Sequence, residues 1–402
     1  MLLRQEILVK LLENYHMYEN IVFLGVTDNY PLKYSANNSK NELLAKSVTE
    51  MGAKASIING FNGISFFKEK YHSGEKDEVN YYNFKKGNLL QIIKNAFYTY
   101  KILKWIKLPK RNNYLFIGYN YFPIFIFYVV IGRILNYKLI VIITEWHVYF
   151  EKKSLFKKLN YILFDYLFGF MIDGIIPISD AITNKISHFK KPVLKIPILA
   201  DFNSIKPREY LKTKSEGEYF LYCGDISYLD IIEFTVNSFE LLIKKKFKLK
   251  LRLIVSGKPS QLATIQELIQ RKQLNDQVII RTKLPFEELI DEYQGALALL
   301  IPLRTRMQDT ARFPHKIGEY VATGRPIITG NVGEIKNYFS ANENAYISDV
   351  YSIDNYARLM EQVISEKTFA NNIGQKGREL GIDKFHYSKY GKKILEFINT
   401  LN

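Results

Sequence analysis

The chain has 402 residues, with 56 Lys or Arg against 40 Asp or Glu, giving a net charge of +16 at neutral pH. That length is generous for one hydrophobic core and points to two domains of roughly 200 residues each. An apolar fraction of 47% in regular patterns excludes a disordered chain. The single Cys223 excludes an internal disulfide and a cysteine-based metal site, and the six His residues show no zinc spacing, so a reducing cytoplasm is the expected compartment.

Residues 1–18 are amphipathic and carry Arg4, Glu6, Lys10 and Glu13, which breaks the apolar core a signal peptide needs; export is not expected. A strand over 20–26 leads into a polar loop at 27–39, a helix over 40–51 closed by Gly52, and a strand over 55–59, a βαβ opening. Residues 68–80, where charge and Gly replace apolar periodicity, read as a disordered or variable loop. A helix over 89–107 and a strand over 114–117 follow. The most apolar stretch, 121–144, is interrupted by Gly132, Arg133, Asn136 and Lys138, and falls short of an unbroken span of about 20 residues. It reads as a buried helix over 122–135 and a buried strand over 139–144. A helix over 157–171 and a short strand over 174–178 continue the alternation.

A boundary fits near 197–218, where Pro197, Pro207 and a polar stretch separate two alternating patterns, giving domains over 1–200 and 201–385 and a closing segment over 386–402. In the second domain strands are expected over 219–223, 251–256, 278–281, 296–301 and 326–329, and a final helix over 390–401. Strands alternating with helices imply mainly parallel sheets covered on both faces.

Basic residues gather at 101–111, where Leu, Trp and Ile are mixed with Lys, and at 244–250. Anionic partners are therefore favoured. The first run suits an interfacial contact with an anionic membrane; the second suits a helix end and a solvated turn. No nucleic-acid-binding motif accompanies the charge, so nucleic acid is not an expected partner.

The most telling segment is 311–330. Pro314 suits a first helical turn, Gly324 the C-terminal cap, and Pro326 opens a buried strand. A helix start flanked by Arg312 and Lys316 is suited to an anion, and Glu319 one turn later to sugar hydroxyls. An ordinary surface helix with a basic start fits the same residues.

The pattern Phe313-Pro-x-Lys316-x-x-Glu319-Tyr320-x-Ala322-x-Gly324-Arg325-Pro326 resembles the nucleotide-sugar site of GT-B glycosyltransferases, especially glycosyltransferase family 4, and further matches run in order along nearly the whole chain. The resemblance implies an α/β, GT-B type fold: two Rossmann-like domains with parallel sheets facing across a cleft. The acceptor binds the first domain and the donor the second, and the last helix returns to the first. It implies transfer of a sugar from a nucleoside-diphosphate donor to a lipid-linked or polysaccharide acceptor with retained configuration, without a protein metal site or other cofactor, in the cytoplasm and optionally at the inner face of the membrane.

Residue by residue, Glu319 matches the family's ribose ligand, and Arg312 and Lys316 become the diphosphate ligands and stabilisers of the leaving group. Gly224 follows the first strand of the donor domain, His315 adjoins Lys316, and Glu334 lies in a loop that faces the donor sugar, or alternatively caps the residues from Ile335. His147, after the strand over 139–144, lines the cleft and orients a sugar or acceptor hydroxyl. Glu145 is a candidate base, and Ser35 and Asn37 stand in the loop that the family uses for the acceptor.

Two departures matter. The first Glu of the family's Glu-x7-Glu pair is Ala311 here, and the usual Arg and Lys after the 219–223 strand are Asp225 and Asp230. Two carboxylates repel a diphosphate, so Lys258, Arg304 and Arg306 become candidates for the missing cations. Asp225 reads as a helix N-cap, or as a ligand for a metal or an acceptor hydroxyl. These departures keep two alternatives open: a nucleotide-sugar epimerase, and a degenerate homologue that binds a nucleotide-sugar without turnover.

Overall fold

A computed structural model describes residues 19–26, 30–31, 36–60, 71–109, 112–118, 121–147, 154–207 and 217–401. They fall into two compact units, Met1–Leu199 with Tyr387–Asn402, and Ala200–His386.

The first unit is built on β1 (Asn20–Val26), α1 (Ala36–Thr49), β2 (Lys54–Asn59), β3 (Tyr71–Lys76), β4 (Val79–Phe84), α2 (Leu89–Ile106), β5 (Asn113–Ile117), α3 (Phe122–Ile134), β6 (Lys138–Ile143), α4 (Leu155–Leu167), β7 (Gly174–Pro177) and α5 (Asp180–Ile186). Its seven strands lie in the order β3-β4-β2-β1-β5-β6-β7, all parallel except the β3–β4 pair. Short apolar runs such as Ile21–Leu24 and Leu139–Ile143 are buried throughout, as parallel strands covered on both faces require.

The two faces of this sheet are covered differently. Ile21, Phe23, Ala55, Ile57, Tyr114, Phe116, Ile140 and Ile142 share one core with Leu44 and Val48 of α1 and with Ile394, Leu395 and Ile398 of the last helix. The alternate residues turn to the opposite face: a Cβ on Gly132 of α3 would meet Leu139 Cδ2 at 2.5 Å and Leu115 Cδ1 at 3.0 Å. Right-handed crossovers place α2, α3 and α4 together on that opposite face, because their connections run from β4 to β5, β6 and β7 in one direction along the sheet.

The second unit contains β8 (Tyr219–Asp225), α6 (Leu229–Lys244), β9 (Lys250–Ser256), α7 (Pro259–Arg271), β10 (Val278–Arg281), α8 (Phe286–Gly295), β11 (Ala298–Ile301), α9 (Met307–Ala311), α10 (Lys316–Ala322), β12 (Ile327–Gly330), α11 (Ile335–Tyr338), β13 (Tyr346–Ser348), α12 (Ile353–Ser365) and α13 (Lys367–Lys384). Its six parallel strands run β10-β9-β8-β11-β12-β13. That is the 3-2-1-4-5-6 order of a nucleotide-binding sheet, whose direction of winding reverses between β8 and β11. The closing helix α14 (Gly391–Asn399) packs on α1, so closely that a Cβ on Gly391 would meet the Ser47 carbonyl oxygen at 1.9 Å.

Several readings need correction. Of the loop expected over 68–80, residues 68–70 lie outside the described residues and 71–80 belong to an antiparallel edge hairpin over 71–84, whose turn Asp77 and Glu78 make at φ of 51° and 62°. The helix α3 is only half-buried: Val130 and Ile134 are exposed on one side, Phe125, Tyr128 and Ile131 buried on the other. The helix α4 ends at Leu167, and a 3₁₀ turn takes over at Phe168–Met171.

Candidate functional site

In an open parallel sheet a ligand is expected beyond the carboxyl ends of the strands where winding reverses, because two loops diverge there and leave a crevice. In the second unit this point lies beyond Asp225 of β8 and Ile301 of β11. The loops and helices around it carry two charged groups.

The first is an arginine group. Arg304, three residues after β11, is buried and donates from Nε and Nη2 to the two oxygens of Asp309, at 2.6 and 3.2 Å. Its Nη1 donates to Asp230 Oδ2 at 2.6 Å. Arg312 reaches Asp309 Oδ1 from Nη2 at 2.6 Å and lies 4.6 Å from the centre of the Tyr228 ring. Arg306 is exposed and only 3.6 Å from Asp230. Burial alone would lower the Arg304 guanidinium; Asp309 and Asp230 outweigh it and hold the charge firmly. Three guanidiniums thus face two carboxylates and leave a net positive charge at the crevice. Asp230 is tied into this group, where it sets the Arg304 fork.

The second group is built on α10. Glu319 is buried; its Oε2 accepts from the Tyr293 hydroxyl at 3.4 Å and from Lys316 Nζ at 3.3 Å, and Lys316 also donates to the Tyr293 oxygen at 3.0 Å. Burial raises the Glu319 carboxyl to about 8. The end of β8 joins the two groups: the Tyr320 hydroxyl accepts from the Cys223 N–H at 3.0 Å, and Tyr222 next to it feels the charge of Arg312.

The helix expected to face an anion is shorter than its sequence suggests. The helix α10 has seven residues and begins at Lys316 with His315 as its N-cap, so Pro314 precedes it. Side-chain charge, more than a long helix dipole, is what this end offers an anion. Its C-terminal end is as expected, with Gly324 at φ 73° donating to the Val321 carbonyl.

Other candidates fall outside these groups. Asp225 does not cap α6: its Oδ1 accepts from the Ser227 N–H at 2.8 Å, closing a turn that ends just before the N-cap Tyr228. Lys258 is exposed at the start of α7, and no ion pair among the described residues joins it to the arginine group. Glu334 is buried and stands at the N-cap position of α11, without a side-chain hydrogen bond capping that helix. Its loop is pressed under Leu303 and Thr310, whose carbonyl oxygens a Cβ on Gly330 or Gly333 would meet at 2.6 and 2.7 Å. Gly224 is the penultimate residue of β8.

In the first unit, His147 follows β6 and is buried. Its Nδ1 is 3.2 Å from Asp165 Oδ1 of α4, and its ring stacks on Tyr161 at 5.4 Å. A carboxylate at Nδ1 favours the tautomer with the proton there and Nε2 as the acceptor. Glu145 is partly exposed and close enough to Tyr161 to join burial and Asp165 in raising that hydroxyl. Ser35 lies outside the described residues, as does the side chain of Asn37. Sequence reading missed Asp165, Tyr161, Tyr228, Tyr293 and Asp309; each is an isolated polar or aromatic residue on a helix or, for Tyr228, at a helix N-cap, joined to the site only by folding.

Residues 205–380 match the family model described as glycosyl transferases group 1. No curated protein matches the chain by sequence. Among solved structures, sucrose-phosphate synthase from Thermosynechococcus elongatus has a TM-score of 0.75 at 14% identity over 95% of this chain and 99% of that one. A glycosyltransferase from Rickettsia africae has a TM-score of 0.70 at 15% identity over 95% and 98%. The Anabaena protein HepE, solved in complex with UDP and glucose, has a TM-score of 0.70 at 12% identity over 94% and 99%. The chain therefore has the two-unit GT-B fold, and its residues 205–380 are similar to the glycosyl transferases group 1 family.

Proposed function

We propose that the protein is a glycosyltransferase that takes a nucleoside-diphosphate sugar as donor. The observation that carries this reading is the pairing, at one strand-reversal point, of a buried carboxyl group suited to vicinal hydroxyls with an arginine group of net positive charge. Glu319 accepts from the ribose hydroxyls; Arg312 and Lys316 neutralise the diphosphate as it leaves. Arg304 sets Arg312 through Asp309 instead of contacting the donor with its full charge. His147, held by Asp165, offers Nε2 to a hydroxyl of the sugar or the acceptor. The acceptor is a lipid-linked or polysaccharide glycan, the donor sugar a hexose, and transfer retains configuration, with the leaving diphosphate taking the acceptor proton. The protein works in the cytoplasm.

One observation favours a second reading. Asp230 and Asp309 both occupy Arg304, which leaves fewer uncommitted cations for a leaving diphosphate than two free basic residues would supply; a nucleotide-sugar-binding protein without turnover fits that arrangement. Binding of a panel of nucleoside diphosphates and their sugar conjugates, by wild type and by Glu319→Ala and Lys316→Ala, tests the site. Tight binding of one nucleotide, weakened by both changes, supports it; no binding by any member overturns both readings. Release of free nucleoside diphosphate that depends on an added glycan separates the transferase from the binder.

A further inference from the structure

The exposed large apolar side chains of the first unit are not scattered. Of those among the described residues, all but Val193 belong to α2, α3, α4 or the residues bordering them. On α4 and the turn after it, Leu155 (81% exposed), Phe156 (86%), Leu159, Ile162, Tyr166 and Phe170 turn outward; on α2, Leu89, Leu90, Ile93, Phe97 and Trp105 (75%) do the same. These helices cover one face of the first sheet. Phe125 of α3 packs edge-on against Phe164 of α4 at 5.1 Å, and Tyr137, just after α3, donates its hydroxyl to the Leu103 carbonyl of α2 at 2.8 Å.

The charge on this face is equally one-sided. Lys94, Lys101 and Lys104 on α2 and Lys157 and Lys158 on α4 are exposed, and α3 adds Arg133, which pairs with Asp173. Among α2, α3 and α4 the single acid is Asp165, and it is buried against His147. The opposite face behaves as ordinary protein surface: α1 and α14 turn their apolar residues into the core and mix Lys with Glu42 and Glu396.

A face with this much exposed Leu, Phe and Trp is a docking surface, since water-facing apolar area of that extent is otherwise rare. Exposed lysines without exposed acids fit an anionic plane, and Trp and Tyr suit the boundary between headgroups and acyl chains. We infer that the α2–α3–α4 face of the first unit docks on the surface of an anionic lipid bilayer, with Leu155, Phe156 and Trp105 entering the headgroup region and the lysines meeting lipid phosphates. No helix among the described residues is long and apolar enough to cross a membrane, so the contact is interfacial. The inference is independent of the donor site and holds whether or not the protein turns a sugar over.

Flotation of the full chain with phosphatidylcholine vesicles, with and without phosphatidylglycerol, tests it. The expected result is binding only to the anionic vesicles, weakening with salt. Leu155→Ser with Phe156→Ser lowers the bound fraction about tenfold, Lys157→Glu with Lys158→Glu lowers it comparably, and Lys392→Glu with Lys393→Glu on the opposite face leaves it unchanged. Because all these positions are on the surface, thermal unfolding and nucleotide binding stay at wild-type values in each variant. Binding that survives both α4 variants, equal binding to neutral vesicles, or a stable dimer through this face with no vesicle binding overturns the inference.

Discussion

Asp309 holds Arg304 by both carboxylate oxygens, 2.6 Å to Nε and 3.2 Å to Nη2, while its Oδ1 also takes the Arg312 guanidinium at 2.6 Å. The carboxylate is fully buried, so it is the hinge on which two arginines are set. Removing one partner of such a group leaves a buried charge uncompensated. Asp309→Ala is expected to cost about 3–5 kcal/mol of stability, read from urea unfolding. Asp230, half-exposed on the outer side of Arg304, is different. Asp230→Asn is expected to cost no more than about 1 kcal/mol and, by removing a carboxylate from the crevice, to tighten nucleoside diphosphate binding in calorimetry. Weaker binding in Asp230→Asn would show that Asp230 positions Arg304 productively.

Glu319 gives a pH signature. Its carboxyl titrates near 4.5 in the unfolded chain and at about 8 in the fold, so between those values the folded state holds the extra proton and stability falls as pH rises. Glu319→Gln is therefore expected to match wild type near pH 4 and to exceed it by on the order of 1–3 kcal/mol near pH 8. Melting curves across that range check it, and a constant difference would place the effect in packing instead.

Lys40 has the mirror-image signature. It lies on α1 with its Nζ buried and, among the described residues, without a hydrogen-bond partner, and burial lowers it to about 7. Between that value and 10.5 the unfolded chain holds the extra proton, so stability rises with pH through this window, and the penalty is complete below it. Lys40→Met is expected to stabilise the protein by on the order of 1–3 kcal/mol at pH 6, with the gain shrinking as pH approaches 10. A variant less stable than wild type at pH 6 would mean that Lys40 serves a partner.

Asp165 is a positioning residue for His147. Asp165→Asn keeps the shape and removes the charge that fixes the imidazole tautomer. The expected result is a loss of about tenfold to a hundredfold in kcat of sugar transfer, with donor KM little changed. An unchanged kcat would reduce the pair to packing.

Much of the architecture was legible because parallel strands buried on both faces leave continuous apolar runs, as at 21–24, 139–143 and 298–301, and local glycine chemistry marked the end of α10 at Gly324. The β3–β4 hairpin was not legible: at the sheet edge only one strand face is covered, and Gly74 with the Asp77–Glu78 turn erased the remaining alternation. In the site, Arg312, Lys316 and Glu319 were legible because they crowd one short segment. Asp309 and Asp165 were not, since a lone acid on a helix reads as a solvated face, and Asp165 meets His147 across 18 positions of chain. The apolar run of α3 misled in the other direction, for apolar composition does not say whether protein covers every side of a helix, and Val130 and Ile134 are exposed.

The last helix carries a consequence for the order in which the protein is made. Ile394, Leu395, Phe397 and Ile398 complete the core begun by Ile21 and Phe23, yet 187 residues of the second unit, Ala200–His386, are translated in between. The first unit must leave the ribosome with one flank of its sheet unsealed and wait for its final turn of chain. The second unit, encoded without interruption, is free to fold first although it is synthesised later, so the protein is expected to mature from its middle outward.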